Sequence, residues 1–459
     1  MELAACYLAD LPAEAELTPA MVRESCQAAK RNRRRHLAAA STGAVLALLA
    51  DCARQWRQES DPFRRLALAR GPEVTGFPAA TLARGLDSFF ALLTVESMEE
   101  LLAAELGDAR ALDGWVGAAV TGSRRRDATK VLATGPELLV HVAAGNVPTS
   151  GLMSLVLGLM VRSAQFMKCA RGSSFLPRLF AHSLRRLDSN IGSCLELAEW
   201  PGGRTALEEV LFEEADCITA TGGDAMLADL RRRLPTRVRL LEYGHRVSLG
   251  YVAREALAHG GARRWAARAA ADVTAWNQQG CLSPHLIYVQ SGGAVGPEDF
   301  AGLLAEELAG CESGQPRGEL PVEEAAHIAS RREIHGMRAA ATGETRVLAS
   351  PGSTAWTVVF EQDPRFQLSC LNRFVYVKPV SDLAELLRHA EVVRGQISTL
   401  GLAASEETAA MMTELARWGI TRICPLGQMQ APPLAWRHDG RLALGQLVNW
   451  TGWERDYAD

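Results

Sequence analysis

The chain has 459 residues, 48% hydrophobic and 22% charged, the proportions of a folded molecule with two or three lobes. Its formal net charge of −4 excludes general attraction to nucleic acid or an anionic membrane, and the basic runs Arg33 to Arg35, Arg124 to Arg126 and Arg231 to Arg233 read as solvated surface. The N-terminus lacks the pattern of a secretory signal, the most apolar stretch (Gly151 to Val161) falls short of the ~20 residues of a membrane span, and the ten cysteines show neither metal-type spacing nor disulfide density, so free thiols, a cytoplasmic location and no metal site are expected.

The first 130 residues read as helical, with Ala/Leu-rich periodic segments over Ala38 to Trp56 and Ala79 to Leu106. From Pro136 short apolar runs alternate with helical stretches: Glu137 to Ala143, a helix from about Ser150, Ala164 to Ala170, a helix after Pro177 and Cys194 to Trp200. A helix near Arg204 to Phe212, Asp216 to Thr221, a helix from Asp224 and Arg239 to Tyr243 complete the series. This rhythm predicts an α/β fold with a largely parallel sheet covered by helices. A second α/β segment follows, with strands at His285 to Val289, Thr357 to Phe360 and Phe374 to Val377, and helices at Pro297 to Leu308 and Asp382 to Arg394.

Four short stretches carry possible chemistry. In Trp276-Asn-Gln-Gln-Gly-Cys281-Leu-Ser-Pro-His285 a cysteine follows a glycine just before a strand, among polar residues that make an odd wall for a structural thiol. In His141-Val-Ala-Ala-Gly-Asn146-Val-Pro a strand ends in a turn, the usual place for ligands in a parallel sheet. Asn146 there is either an oxyanion donor or a residue that shapes the turn. Thr221-Gly222-Gly223-Asp224 is a glycine-bearing helix start suited to a pyrophosphate, although no GxGxxG occurs. Leu241-Glu242-Tyr-Gly-His245 delivers a carboxylate and an imidazole to one turn, each able to move protons or to serve structure alone.

In this order and spacing the four stretches resemble the aldehyde dehydrogenase superfamily, and within it the acyl-CoA reductases of the bacterial bioluminescence fatty-acid reductase type. Trp200-Pro-Gly-Gly, Lys168, Glu242-Tyr-Gly-His-Arg-Val-Ser and Gln279-Gly-Cys-Leu-Ser-Pro-His strengthen the resemblance, which is densest from about residue 136 to 290. It implies an aldehyde-dehydrogenase-like fold of two Rossmann-type parallel-sheet lobes with a helical N-terminal region. Residues 1–245 would form the helical region and cofactor lobe and 246–440 the catalytic lobe, with 441–459 a C-terminal segment that serves oligomerisation of a homo-oligomer. It also implies Cys281 as nucleophile, Asn146 and the Cys281 backbone N–H as oxyanion hole, and Glu242 as general base, with His245 a second proton carrier. Lys168 would hold the adenosine ribose or its phosphate, and Thr221, Gly222 and Gly223 the pyrophosphate turn. Where NAD-preferring relatives carry a glutamate three residues after the lysine, this chain has Arg171, so NADPH is expected over NADH. Leu371-Asn-Arg-Phe374 departs from the Glu-x-Phe that many dehydrogenases use at the nicotinamide ribose. The implied reaction is reduction of an acyl-CoA or acyl carrier protein thioester to a fatty aldehyde. The alternatives are an aldehyde-oxidising dehydrogenase on the same scaffold and a non-catalytic scaffold subunit of a reductase complex.

Overall fold

Ser41, Asp61 and Thr94 each accept backbone N–H bonds at the start of an N-terminal helix, and these caps set where the helices begin. The computed structural model describes residues 3–12, 14–117, 129–258, 260–404 and 408–454, which leaves Arg124 to Arg126 outside the described residues. Five helices of this region span Pro19–Asn32, Thr42–Trp56, Pro62–Thr75, Ala79–Ala91 and Val95–Leu106. The expected single segment from Ala79 to Leu106 is therefore two helices, because Thr94 starts a new one by accepting from Ser97 N–H. Likewise the stretch from Ala38 becomes helical only at Thr42, after the Ser41 cap.

The strands in chain order are β1 (Val116–Gly117), β2 (Thr129–Thr134), β3 (Leu138–Val142), β4 (Ala164–Cys169), β5 (Leu195–Glu199), β6 (Cys217–Thr221), β7 (Arg239–Tyr243), β8 (Val247–Val252), β9 (Pro284–Gln290), β10 (Thr345–Ala349), β11 (Thr357–Glu361), β12 (Phe374–Val380), β13 (Ile397–Ala403), β14 (Ile423–Pro425) and β15 (Asn449–Glu454). They build three sheets. The first is parallel, in the order β5-β4-β3-β6-β7. Because the chain winds outward from β3 to β5 and then restarts at β6 on the other side of β3, the strand order reverses between β3 and β6. A crevice opens there at the carboxyl ends. Alternate residues feed two cores: Leu139, Met167 and Leu197 face one that includes the helices Thr42–Trp56 and Ser150–Met160. Val140, Phe166 and Ala198 face another with Val22, Leu207 and Leu211. Coverage of both faces explains why β4 is buried along its whole length.

The second sheet runs β10-β11-β12-β9-β8-β13-β14, parallel except for β10 against β11. Helices Gly261–Thr274 and Pro297–Gly314 cover one face, and Leu386 and Leu415 pack on the other. The third is a small antiparallel sheet, β1-β2-β15, whose outer strand β15 is exposed at every residue. No single helix among the described residues is long and apolar enough to cross a membrane.

The basic runs are less free than expected. Arg33 donates through Nε to the Arg162 carbonyl at 2.6 Å, Arg233 pairs with Glu208 at 2.6 Å, and Arg231 pairs with Glu242. Arg231, Arg34 and Arg35 are exposed as expected, whereas Arg33 and Arg233 are half-buried because each lies beside an acceptor that arrives only when the chain folds.

Candidate active site

Strand β3 delivers the Gly145-Asn146 turn to the crevice, β4 delivers Lys168 and the Arg171 turn, β6 delivers Thr221 to Gly223, and β7 delivers Glu242 and His245. All four stand at the carboxyl edge of the first sheet. From the second lobe the loop before β9 reaches back to this edge. Asn146 Nδ2 donates to the Gln279 carbonyl at 2.7 Å, two residues before Cys281. One amide hydrogen is thereby used, and the other remains to donate. The site thus joins both lobes.

The loop is held by unusual backbone. Trp276, Asn277 and Gln278 all have left-handed φ (49°, 51° and 67°), as do Leu371, Asn372 and Arg373 (62°, 56° and 64°). Non-glycine residues enter this region only when their surroundings hold them there. The two triplets hold each other: Asn372 N–H donates to the Asn277 carbonyl at 3.0 Å, Arg373 Nε to Asn277 Oδ1 at 3.1 Å, and Gln279 Nε2 to Asn372 Oδ1 at 2.9 Å. Gln278 Nε2 binds the carbonyls of Pro284 and Phe374. The Trp276 ring meets Phe77 edge-on at 5.4 Å and lies so close to Gly85 that an added Cβ would come within 2.0 Å of it, which is why glycine stands there. Where many dehydrogenases carry Glu-x-Phe, Asn372 here reaches both Gln279 and the Glu324 carboxylate, the latter at 2.8 Å.

Cys281 is partly buried, its carbonyl accepts from Ser248 Oγ at 2.7 Å, and desolvation pushes its thiol up to about 11. The Asp439 charge raises it further, while Arg246 opposes. Glu242 is ion-paired with Arg231, and its other oxygen, Oε1, is buried without a hydrogen bond. His245 is exposed, and burial, with His245 close by, lowers the pKa of buried His285 to about 4. The His285 Nδ1 accepts from Ser369 N–H at 3.3 Å. Among the described residues no side-chain hydrogen bond joins Glu242 or His245 to Cys281.

At the nucleotide end, the helix Asp224–Arg233 begins at Gly223 with no side-chain cap, so its first N–H groups remain for an anion. Nothing lies within 4 Å of a Cβ built on Gly223, and one on Gly222 would meet only the tip and sulfur of Met226. This cradle fits a pyrophosphate. Lys168 is buried, and desolvation lowers its pKa against the raising pull of Glu208 and Glu199. Glu199 also accepts N–H bonds from Gly172 and Ser174, at 2.7 and 3.3 Å, and so fixes the turn that carries Arg171. Arg171 itself is exposed and has no ion pair among the described residues. The sequence patterns pointed to neither Asp439 nor Glu199, since neither lies in one of the four short stretches.

Two parallel-sheet lobes, a helical N-terminal region and a thiol loop at their junction define the aldehyde dehydrogenase fold. Among solved structures with it, a bifunctional proline utilization A protein aligns at TM-score 0.70 and 17% identity, over 96% of this chain and 45% of that one. The NAD-dependent benzaldehyde dehydrogenase from Corynebacterium glutamicum aligns at 0.69 and 13%, over 98% of this chain and 94% of that one. Within this fold the chain belongs to the acyl-CoA reductase (LuxC) family, whose model matches residues 37–450. A relative in Aliivibrio fischeri described as a long-chain acyl-protein thioester reductase is 23% identical over 416 residues, 88% of this chain and 80% of that protein.

Proposed function

We propose that this protein reduces an acyl thioester, presented on coenzyme A or on an acyl carrier protein, to an aldehyde through an acyl-enzyme on Cys281. The observation that carries the reading is the Asn146 to Gln279 bond, which brings the oxyanion donor of one lobe alongside the nucleophile loop of the other. Cys281 attacks the thioester carbonyl, and the developing oxyanion is held by Asn146 Nδ2 and the Cys281 N–H. Expulsion of the donor thiol leaves an acyl-cysteine. A bound nicotinamide cofactor supplies hydride to that acyl carbon. Lys168, Arg171 and the turn Thr221 to Gly223 would hold the cofactor, and collapse of the reduced adduct frees aldehyde and Cys281. In this reading residues 1–245 hold the cofactor and contribute Asn146 to the chemistry, while 246–440 supply the nucleophile. An aldehyde-oxidising reading needs Glu242 to activate water, a role opposed by its pairing with Arg231.

The test is intact-mass spectrometry of the protein with a panel of acyl-CoAs and acyl carrier proteins, without cofactor. A mass gain of one acyl group in wild type and none in Cys281→Ala is expected. Absence of any adduct on wild type with every donor would overturn the reading.

A further inference from the structure

A backbone N–H can hold an oxyanion only when the peptide that carries it is fixed in direction. The Cys281 N–H belongs to the peptide joining Gly280 to Cys281, and in a planar trans peptide it points opposite to the Gly280 carbonyl. That carbonyl is not free to turn. It accepts the Ser283 N–H at 3.0 Å, which closes a turn from Gly280 to Ser283 with Cys281 inside it. The peptide on the other side of Cys281 is pinned as well, since its carbonyl accepts from fully buried Ser248 Oγ of β8 at 2.7 Å.

The turn has a third attachment, from a segment far along the chain. Gln430 Nε2 donates to Ser283 Oγ at 3.0 Å. The same carboxamide places Oε1 3.6 Å from the point where a Cβ on Gly280 would stand, and Val147, the neighbour of Asn146, comes within 3.8 Å of that point. Gln430 therefore sits where the Asn146 turn and the Cys281 turn meet. The chain just before it is anchored by two buried charges. Asp272 accepts the N–H groups of Gly427 and Met429 at 2.5 and 3.0 Å, and Arg422 donates to the carbonyls of Met429 and Gln428 at 2.6 and 2.9 Å. Glycine is required at the head of this segment, because Gly427 has a φ of 91° and a Cβ there would come within 2.7 Å of Arg268. Support from both sides lets Gln430 hold its neighbour in one geometry.

We propose that Gln430 is a positioning residue: by holding Ser283 it keeps the Gly280 carbonyl engaged and aims the Cys281 N–H at the carbonyl oxygen of the acyl donor. It acts through Ser283 and the turn, and the assignment rests on the acyl-thioester reading above.

The near-isosteric Gln430→Met removes the amide donor and keeps the length of the side chain, while Ser283→Ala removes the acceptor. Two reactions of the same thiol separate positioning from packing. Acylation builds an oxyanion and needs the N–H, whereas alkylation by iodoacetamide displaces iodide and builds none. In either variant acylation by acyl-CoA, followed by intact mass, should slow by roughly tenfold or more, while alkylation of Cys281, followed by mass mapping of its peptide, stays within about twofold of wild type. The double variant should be no slower than either single one, because both break the same bond. Acylation at the wild-type rate in both variants, acylation and alkylation that fall together, or losses that multiply in the double variant would overturn the assignment. p-Nitrophenyl acetate, an activated ester that acylates a thiol through the same kind of oxyanion, serves as a second donor. A wild type acylated by the ester but by no thioester would overturn the acyl-thioester reading, and the rates of the two variants with the ester would then decide Gln430. A wild type that is alkylated yet accepts an acyl group from neither donor would overturn both.

Discussion

Asn146 donates only one of its two amide hydrogens to the Gln279 carbonyl, and the other is the oxyanion donor of the proposed reaction. Asn146→Ala should slow single-turnover acylation by roughly a hundredfold with little change in melting temperature, as for other lost oxyanion donors. A drop in stability without a change in acylation rate would make it a turn residue alone. Glu242 gives a second prediction. Arg231→Met should free its carboxylate to activate water, so the acyl-enzyme should hydrolyse faster, measured as release of free fatty acid without cofactor. The double variant with Glu242→Gln should return hydrolysis to the wild-type rate. The third concerns Arg171, exposed on a turn that Glu199 fixes from β5. A free guanidinium there favours the 2′-phosphate, so kcat/KM should favour NADPH in wild type and shift toward NADH in Arg171→Glu. An unchanged ratio would place the side chain in solvent. Cys281, Asn146 and Glu242 were legible because each sits in a short local pattern. Asp439 was not, since its burial against Arg246 arises only when a distant segment folds back over the site.

At the scale of elements, the strands β3 to β7 were legible because most read as short apolar runs between helices. Strands β8 and β13 escaped notice for a physical reason. Both are wholly buried, yet β8 contains Ser248 and Gly250, and β13 contains Ser398, Thr399 and Gly401, so neither presents a continuous apolar run. Gly250 packs tightly, since a Cβ there would sit 3.1 Å from Ile287, which would have to shift slightly. The helix Val322–Thr342 was missed because only Ile328 and His335 of its 21 residues are buried. The paired left-handed triplets are likewise invisible in sequence and depend on each other. Asn277 is their hinge pin: Nδ2 donates to the Arg317 carbonyl at 2.9 Å and Oδ1 accepts from fully buried Arg373. Asn277→Ala removes both bonds and places alanine at positive φ, which should cost roughly 2 to 4 kcal/mol in denaturant unfolding. If the triplets position the thiol, acylation by the still-folded fraction should fall as well, and a normal rate would confine the effect to stability.

Over the whole molecule, buried carboxylates pull the pH dependence of stability in opposite directions. Glu361, paired with Lys378 and His335, is held at about 2, so its contribution is complete above the ordinary carboxylate value of 4.5 and is lost as pH falls through about 2. Glu196 is raised to about 7 by burial, although its Oε1 accepts from Leu8 and Leu197 N–H at 2.7 and 2.9 Å. Its folded form keeps a proton that the unfolded chain has shed, so its contribution is complete below 4.5 and is lost as pH rises through about 7. Glu196→Gln retains the Oε1 acceptor without the charge. It should melt higher than wild type at pH 8, by an amount bounded near 3 kcal/mol, and the advantage should vanish by pH 5. A constant difference across that range would assign the effect to packing.

The route of the segment that follows Asp439 bears on how the fold is completed. Beyond the turn at His438–Gly440 the chain returns to the first lobe, where Glu105 accepts the N–H groups of Ala443, Leu444 and Gly445, the first of these 338 residues distant in sequence. Arg239 then binds the carbonyls of Leu447 and Val448, and β15 zips onto β2. These attachments are made by the last element described. These contacts join residues more than 200 positions apart, from Glu105 and Arg239 to the stretch 443–448, so they can form only after most of the chain has collapsed, and loop closure makes their docking a late, slow step of folding.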